Sequence, residues 1–195
     1  MTEMQTSRRT LLKRGALIAG AAAIGIPGTV SAAGCGTVVC ARSPGYWKNH
    51  PEAWPVETVK IGGLEMDKDY WIENLLKQPV EGDKNRILAK SLLAAKLNQY
   101  AGAEDSCIRY RGTADKCIGG GRCYFGVTGV ADKWLITSGF PEFANGYTPQ
   151  TTWKLPVMLH NECTGERDTV KVNAECLYDI LDAYNNGMLC ACKAD

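Results

Sequence analysis

Sulfur dominates the reactive side chains of this chain. Its 195 residues include nine cysteines against two histidines, a ratio that points to disulfides or a metal centre rather than to the mixed machinery of a cytosolic enzyme. With Cys35 set aside, the remaining cysteines form an even set: Cys40, Cys107, Cys117, Cys123, Cys163, Cys176, Cys190 and Cys192. In an oxidising compartment such thiols pair, each bridge adding about 2–4 kcal/mol by restricting the unfolded chain. Cys117 and Cys123 bracket Ile118-Gly119-Gly120-Gly121-Arg122 and are expected to close a small glycine loop, while Cys163 is expected to reach Cys176. Cys190 and Cys192 stand too close in sequence to bridge each other without strain, so distant partners are expected, Cys107 and Cys40 being the obvious ones. The competing chemistry is a zinc or iron–sulfur site. His160 and Cys163 with Cys190 and Cys192 would offer one His and three Cys ligands, though without paired C-x-x-C knuckles or a ferredoxin spacing.

The stretch Ser43-Pro44-Gly45-Tyr46-Trp47-Lys48-Asn49-His50-Pro51-Glu52-Ala53-Trp54-Pro55 is the second candidate. Its prolines restrict the backbone path, Tyr46, Trp47 and Trp54 supply flat amphipathic rings, and Asn49 and His50 supply hydrogen bonds. Together they could line a cleft for a small ligand or a sugar face. The same residues also read as architecture, with Trp47 and Trp54 packed on a helix and the polar groups latching turns. The two readings require opposite exposures of the indoles. Catalysis has less support, because histidine-based chemistry would have to use His50 or His160, and neither Gly-x-Ser-x-Gly nor His-Glu-x-x-His accompanies them. Gly119-Gly120-Gly121-Arg122 could cradle an anion through backbone N–H groups, but between two cysteines it reads as a disulfide loop. No catalytic residue and no metal ligand is assigned, and no motif calls for a cofactor.

Where the sulfur chemistry takes place follows from the first 34 residues. Arg8-Arg9-Thr10-Leu11-Leu12-Lys13 is a twin-arginine pair in its usual setting, followed by a weakly apolar run and the small residues Val30-Ser31-Ala32-Ala33-Gly34. About 12 apolar residues interrupted by Gly and Pro are too few to span a bilayer of roughly 30 Å, so the segment reads as an export signal. Val30-Ser31-Ala32 fits cleavage near Ala33 and release. Alternatively Ala32-Ala33-Gly34-Cys35 resembles a lipobox in which Cys35 carries a lipid, with Ala32 where Leu is usual. The expected setting is therefore the prokaryotic cell envelope or exterior, with the membrane touched only through the signal or such an anchor. Removing the signal's charges from the 22 basic and 21 acidic residues leaves 18 basic and 20 acidic. So balanced a chain has no field to gather nucleic acid, and a cell-surface protein or glycan is the expected partner.

Residues 35–195 contain no repeat or linker and are read as one domain. Apolar residues at three- and four-residue steps predict a helix over 84–101, capped by Asp83, ended by Gly102 and burying one face. A second is predicted over 174–186, with Asn173 as cap, Cys176 on the buried side and Gly187 at its end. Shorter helices are expected at 68–78, stopped by Pro79, and at 129–137, capped by Thr128. Gly62-Gly63 between 56–61 and 64–66 has hairpin composition, and 152–160 and 169–172 read as extended, Pro156 confining the first to an edge. The fold class expected is mainly α with a minor β component, a single disulfide-stabilised domain after an export signal.

The opening segment 43–55, then Gly62-Gly63, Gly82-Asp83-Lys84, Ala94-Ala95-Lys96-Leu97-Asn98, Ser106-Cys107-Ile108 and the ending Leu181-Asp182-Ala183-Tyr184-Asn185-Asn186-Gly187-Met188-Leu189-Cys190 resemble an uncharacterised family of exported prokaryotic surface domains. That family shows a Gly-Tyr/Phe-Trp-Lys-Asn-His-Pro opening, an Ala-Ala-Lys-Leu-Asn helix and a Tyr-Asn-Asn-Gly ending. The resemblance covers the two ends and the centre of the mature chain and implies a shared fold and a surface or secreted setting, without an activity. It lapses at 109–128 and at about 141–172, where extra cysteines occur.

Overall fold

Side-chain caps decide where several of the helices begin. The structure, a computed structural model, describes residues 39–109, 111–118, 126–140 and 149–190, all within the unit Thr37–Asp195. The Ser43 hydroxyl accepts from Tyr46 N and starts α1, Pro44–Asn49, with Pro44 in the first helical position. A 3₁₀ turn, Pro51–Ala53, follows. Asp67 accepts from Tyr70 N to start α2, Lys68–Trp71, which widens into a π-helical turn over Ile72–Leu76. Asp83 accepts from the N–H groups of Asn85 and Arg86 to open α3, Lys84–Tyr100.

The expected hairpin forms as β1, Thr58–Ile61, and β2, Leu64–Asp67, paired Ile61 to Leu64. Gly62 and Gly63 stand at φ 57° and 90°, the pair of positive values that a two-residue turn of this hand requires. Three short helices follow: α4, Ser106–Arg109, α5, Arg111–Ile118, and α6, Val127–Thr137. The last begins two residues before its expected start, with Gly126 at the N-cap. The 152–160 and 169–172 segments pair as β3, Lys154–His160, and β4, Arg167–Asn173, antiparallel with Pro156 opposite Lys171. Among the described residues each sheet has two strands, so each of these strands is an edge and Pro156 is tolerated. Asn173 then caps α7, Ala174–Asn185, as expected. The chain among these residues is thus mainly helical with a minor sheet component.

Sequence periodicity gives α3 one buried face; the structure leaves only its last residue, Tyr100, exposed and buries or half-buries the rest. Leu88, Leu92, Leu93, Ala95 and Leu97 are fully enclosed, because α3 is flanked by α1, the π turn, β1, α6 and α7. Around it the core continues through Trp71, Trp134, Leu135, Val157, Leu159, Val172, Leu177 and Leu181. The strand rows are sorted by period two: Val157, Leu159, Val170 and Val172 point inward while their neighbours stay exposed. Full burial of side chains of this size stabilises by roughly 1.5–3 kcal/mol each before conformational entropy is set against it.

Gly62 shows how closely the β1–β2 turn is packed. A Cβ there would lie 2.5 Å from Phe140 Cδ1 and 3.1 Å from Leu135 Cβ, whereas Gly82, also at positive φ, would meet nothing within 4 Å. Alanine at Gly82 is expected to cost about 1 kcal/mol for the left-handed backbone alone. At Gly62 overpacking adds roughly 1–3 kcal/mol. Urea unfolding of Gly62→Ala and Gly82→Ala side by side checks this; equal losses would show that the turn can move away from Phe140.

Candidate functional site

Of the five candidate ligand residues, Trp47 is held by a buried side-chain amide, that of Asn98. Asn98, buried in the last turn of α3, uses its full hydrogen-bonding capacity. Its Oδ1 accepts from Arg42 N at 2.8 Å and from Trp47 Nε1 at 3.1 Å, and its Nδ2 donates to Arg42 O at 2.9 Å and to Asn185 Oδ1 at 2.9 Å. Asn185, also buried, donates in turn to Ser91 O at 2.9 Å, and Trp54 Nε1 donates to Trp47 O at 2.9 Å. The opening segment, the Ala-Ala-Lys-Leu-Asn helix and the Tyr-Asn-Asn-Gly ending therefore meet at a single satisfied network.

For the five candidate ligand residues this has direct consequences. Trp47 and Trp54 are 3% and 9% exposed, so their faces meet the core and cannot stack on a ligand from solvent. Tyr46 is half-buried with its ring 4.6 Å from that of His50, and Asn49 and His50 are exposed. These residues do not form an open aromatic groove. His50 Nδ1 lies 3.0 Å from Glu52 Oε1; a backbone hydrogen bond at Glu52 itself, then the His50 ring, hold the Glu52 carboxyl below the usual carboxylate range. Ser43, the nearest hydroxyl in sequence, is occupied as the α1 cap.

Lys96, in the same helix motif, binds the Lys60 carbonyl at 2.7 Å and pairs with Asp132 of α6. Asp132 also accepts from Gly62 N at 2.8 Å, so one ion pair ties α3, α6 and the β1–β2 turn together.

The sulfur atoms pair otherwise than expected in one respect. Cys107 joins Cys190 with Cα atoms 5.6 Å apart, in keeping with a distant partner for Cys190. Cys117 joins Cys176 at 5.4 Å, which replaces both the small Cys117 to Cys123 loop and the Cys163 to Cys176 bridge. The cause is α5, a helix the sequence reading did not place: it carries Cys117 in its last turn to the first turn of α7. Cys40 and Cys163 are also disulfide-bonded. The proposed ligand set of His160, Cys163, Cys190 and Cys192 is thereby broken up, and among the described residues no group of three or more His, Cys, Asp or Glu side chains could hold a metal ion. Cys35, Cys123, Cys192, the signal and the 119–122 glycine loop lie outside the described residues.

The structure also presents a feature that motif reasoning missed. A cleft of about 420 Å³ lies between α6 and the end of the β3–β4 hairpin, lined by Lys133, Met158, Leu159, His160 and Arg167. A second, of about 290 Å³, is lined by Lys60, Gly63, Gly129, Asp132, Lys133 and Ile136. The legible signal was strand alternation, which sets Arg167 and Lys171 on one row and Val170 and Val172 on the other. No protein-family model, curated protein or solved structure matches the chain.

Burial pushes the Tyr184 phenol well above the ordinary phenolic range, Asp105 and Glu104 adding to the shift and Arg109 opposing it. Its buried hydroxyl finds no hydrogen-bond partner among the described residues. The folded state therefore holds this proton more tightly than the unfolded chain does. The corresponding stability is intact below about pH 10 and is lost as pH rises beyond it. Tyr70 and Tyr178 are raised by burial as well, so part of the alkaline loss remains without Tyr184. We expect Tyr184→Phe to match or slightly exceed the parent at neutral pH and to lose less stability from about pH 9 to 11, read by urea unfolding. An unchanged alkaline loss would contradict the assignment.

Proposed function

We propose that the chain is an exported prokaryotic domain of the cell envelope or exterior that works by contact, as a structural or interaction component, and not by catalysis. The observation that carries this is the use to which the distinctive residues are put. Trp47, Trp54, Asn98, Asn185 and Lys96 serve to join elements and Asp83 caps α3, and no nucleophile is held against a base and an orienting group in them. The Cys107–Cys190 and Cys117–Cys176 bridges close loops of sequence separation 83 and 59. By loop-closure entropy each is worth on the order of 4 kcal/mol, a stabilisation suited to an oxidising compartment. The twin-arginine pair at Arg8-Arg9 supplies the route, and cleavage after Ala32 or lipidation at Cys35 supplies the mature start. A cell-surface protein or glycan remains the partner class.

Intact mass of the protein recovered from its native envelope or medium, with and without reduction, tests this reading. The expected mass lacks the first 32 to 34 residues, as the small-residue cleavage positions require. Alkylation of the denatured, unreduced protein should leave Cys107, Cys117, Cys176 and Cys190 unlabelled. Replacement of Arg8 and Arg9 by Lys should strand the precursor in the cytoplasm. A full-length cytoplasmic product with those thiols free would overturn it.

A further inference from the structure

We infer that the outer face of the β3–β4 hairpin, together with the cleft at its Lys133 end, binds a linear acidic polysaccharide. The outward rows carry Lys154, Met158 and His160 on β3 and Arg167 and Lys171 on β4, all exposed, with His160 directly opposite Arg167. On these two strands the one carboxylate, Asp168, belongs to the inward row. Glu162 and Glu166 sit in the connecting turn, beyond the rows.

The charge is unspent. Lys77, Arg86, Lys96 and Arg109 each have a carboxylate partner. Among the described residues none pairs with Lys133, Lys154, Arg167 or Lys171. In a mature chain of 18 basic and 20 acidic residues, that concentration on one hairpin is a local cationic patch. Among the described residues Lys48 and Lys116 are without a carboxylate partner too, but they stand singly, whereas the hairpin gathers its cations on one face, which suits a ligand that brings a row of carboxylates.

The layout selects among polyanions. From Lys154 to His160 the face runs about 20 Å at strand rise, long enough for several anionic repeats in line. The cleft gives one end of the run a walled subsite, where Lys133, His160 and Arg167 converge on a space of about 420 Å³. Met158, 59% exposed, is the single large apolar side chain on the face. One such contact suits the C–H face of a sugar ring and is too little for insertion into lipid, which needs a broad apolar strip. Nor is there an aromatic on the rows to stack a nucleobase. The choice of a glycan rests on the surface setting proposed above; the binding itself does not, so its failure leaves the mass and labelling result standing.

Calorimetric titration of the mature, oxidised protein with sodium alginate, a uronate polymer, tests the inference, with dextran as the neutral control. Alginate should bind and dextran should not. Affinity should fall on the order of tenfold to a hundredfold between about 50 and 200 mM salt, since a few cation contacts release counterions. The triple variant Lys154→Glu/Arg167→Glu/Lys171→Glu should bind at least tenfold more weakly with an unchanged melting temperature, while Lys48→Glu/Lys116→Glu binds as the parent does. Should the triple variant fold poorly, Arg167→Gln alone should still weaken binding severalfold. Absence of alginate binding, an equal loss in the Lys48/Lys116 control, or tighter binding of phosphatidylglycerol vesicles or poly-glutamate than of alginate would overturn it, the last two assigning the face to a membrane or an acidic peptide.

Discussion

A carboxamide buried at the end of the central helix must have all its hydrogen bonds made or the helix end cannot be buried at all. Asn98 meets that demand by binding the backbone N–H and C=O of Arg42, the indole of Trp47 and the amide of Asn185. Trp47 and Asn185 are themselves buried, so losing the hub would leave their polar groups unsatisfied at about 1–3 kcal/mol apiece. The hub also sets geometry. It holds the segment before α1 alongside α3, and it brings the last residue of α7 against the same helix, at positions 56 and 87 residues away in sequence. Hydrophobic burial drives the elements together without direction, and this network is what gives their arrangement one solution.

Around that hub the other long-range ties act in series. Lys96 and Asp132 lock α6 and the β1–β2 turn to α3, and two disulfides fasten α4 and α5 to α7 and the residues just beyond it. The resemblance motifs map onto these ties: the opening segment, the Ala-Ala-Lys-Leu-Asn helix, the Ser106-Cys107-Ile108 turn and the Tyr-Asn-Asn-Gly ending all supply joints. The segments where the resemblance lapses include α5 with Cys117 and the β3–β4 hairpin with its cationic outer face. The joints and the surface proposed to meet a ligand are thus different parts of the chain.

The sequence was most legible where the determining physics is local, the misplaced cap of α6 being the exception. Asp83 and Asn173 announce their helices because a short acceptor before an apolar run satisfies free N–H groups, and Gly62-Gly63 announces its turn because few other residues take positive φ. It was opaque where the cause is tertiary. Nothing at single positions distinguishes a helix with one buried face from α3, surrounded on nearly every side. The Cys117–Cys176 pairing depends on α5, Arg111–Ile118, a helix of only eight residues with Gly112 near its start, too short for an apolar repeat to stand out. The indoles at 47 and 54 suit either a groove or a core, and only the placement of Asn98 and the Trp47 carbonyl decides for the core. The cleft beside Lys133 joins residues from α6, β3 and β4, which no motif spans.

The role of the Asn98 hub is open to a direct energetic measurement: a double-mutant cycle in urea with Asn98→Ala, Asn185→Ala and the pair. Residues that share a buried hydrogen bond should be coupled, with an interaction energy of about 0.5–3 kcal/mol and both single variants strongly destabilised. Additivity of the two losses to within about 0.5 kcal/mol would contradict the hub.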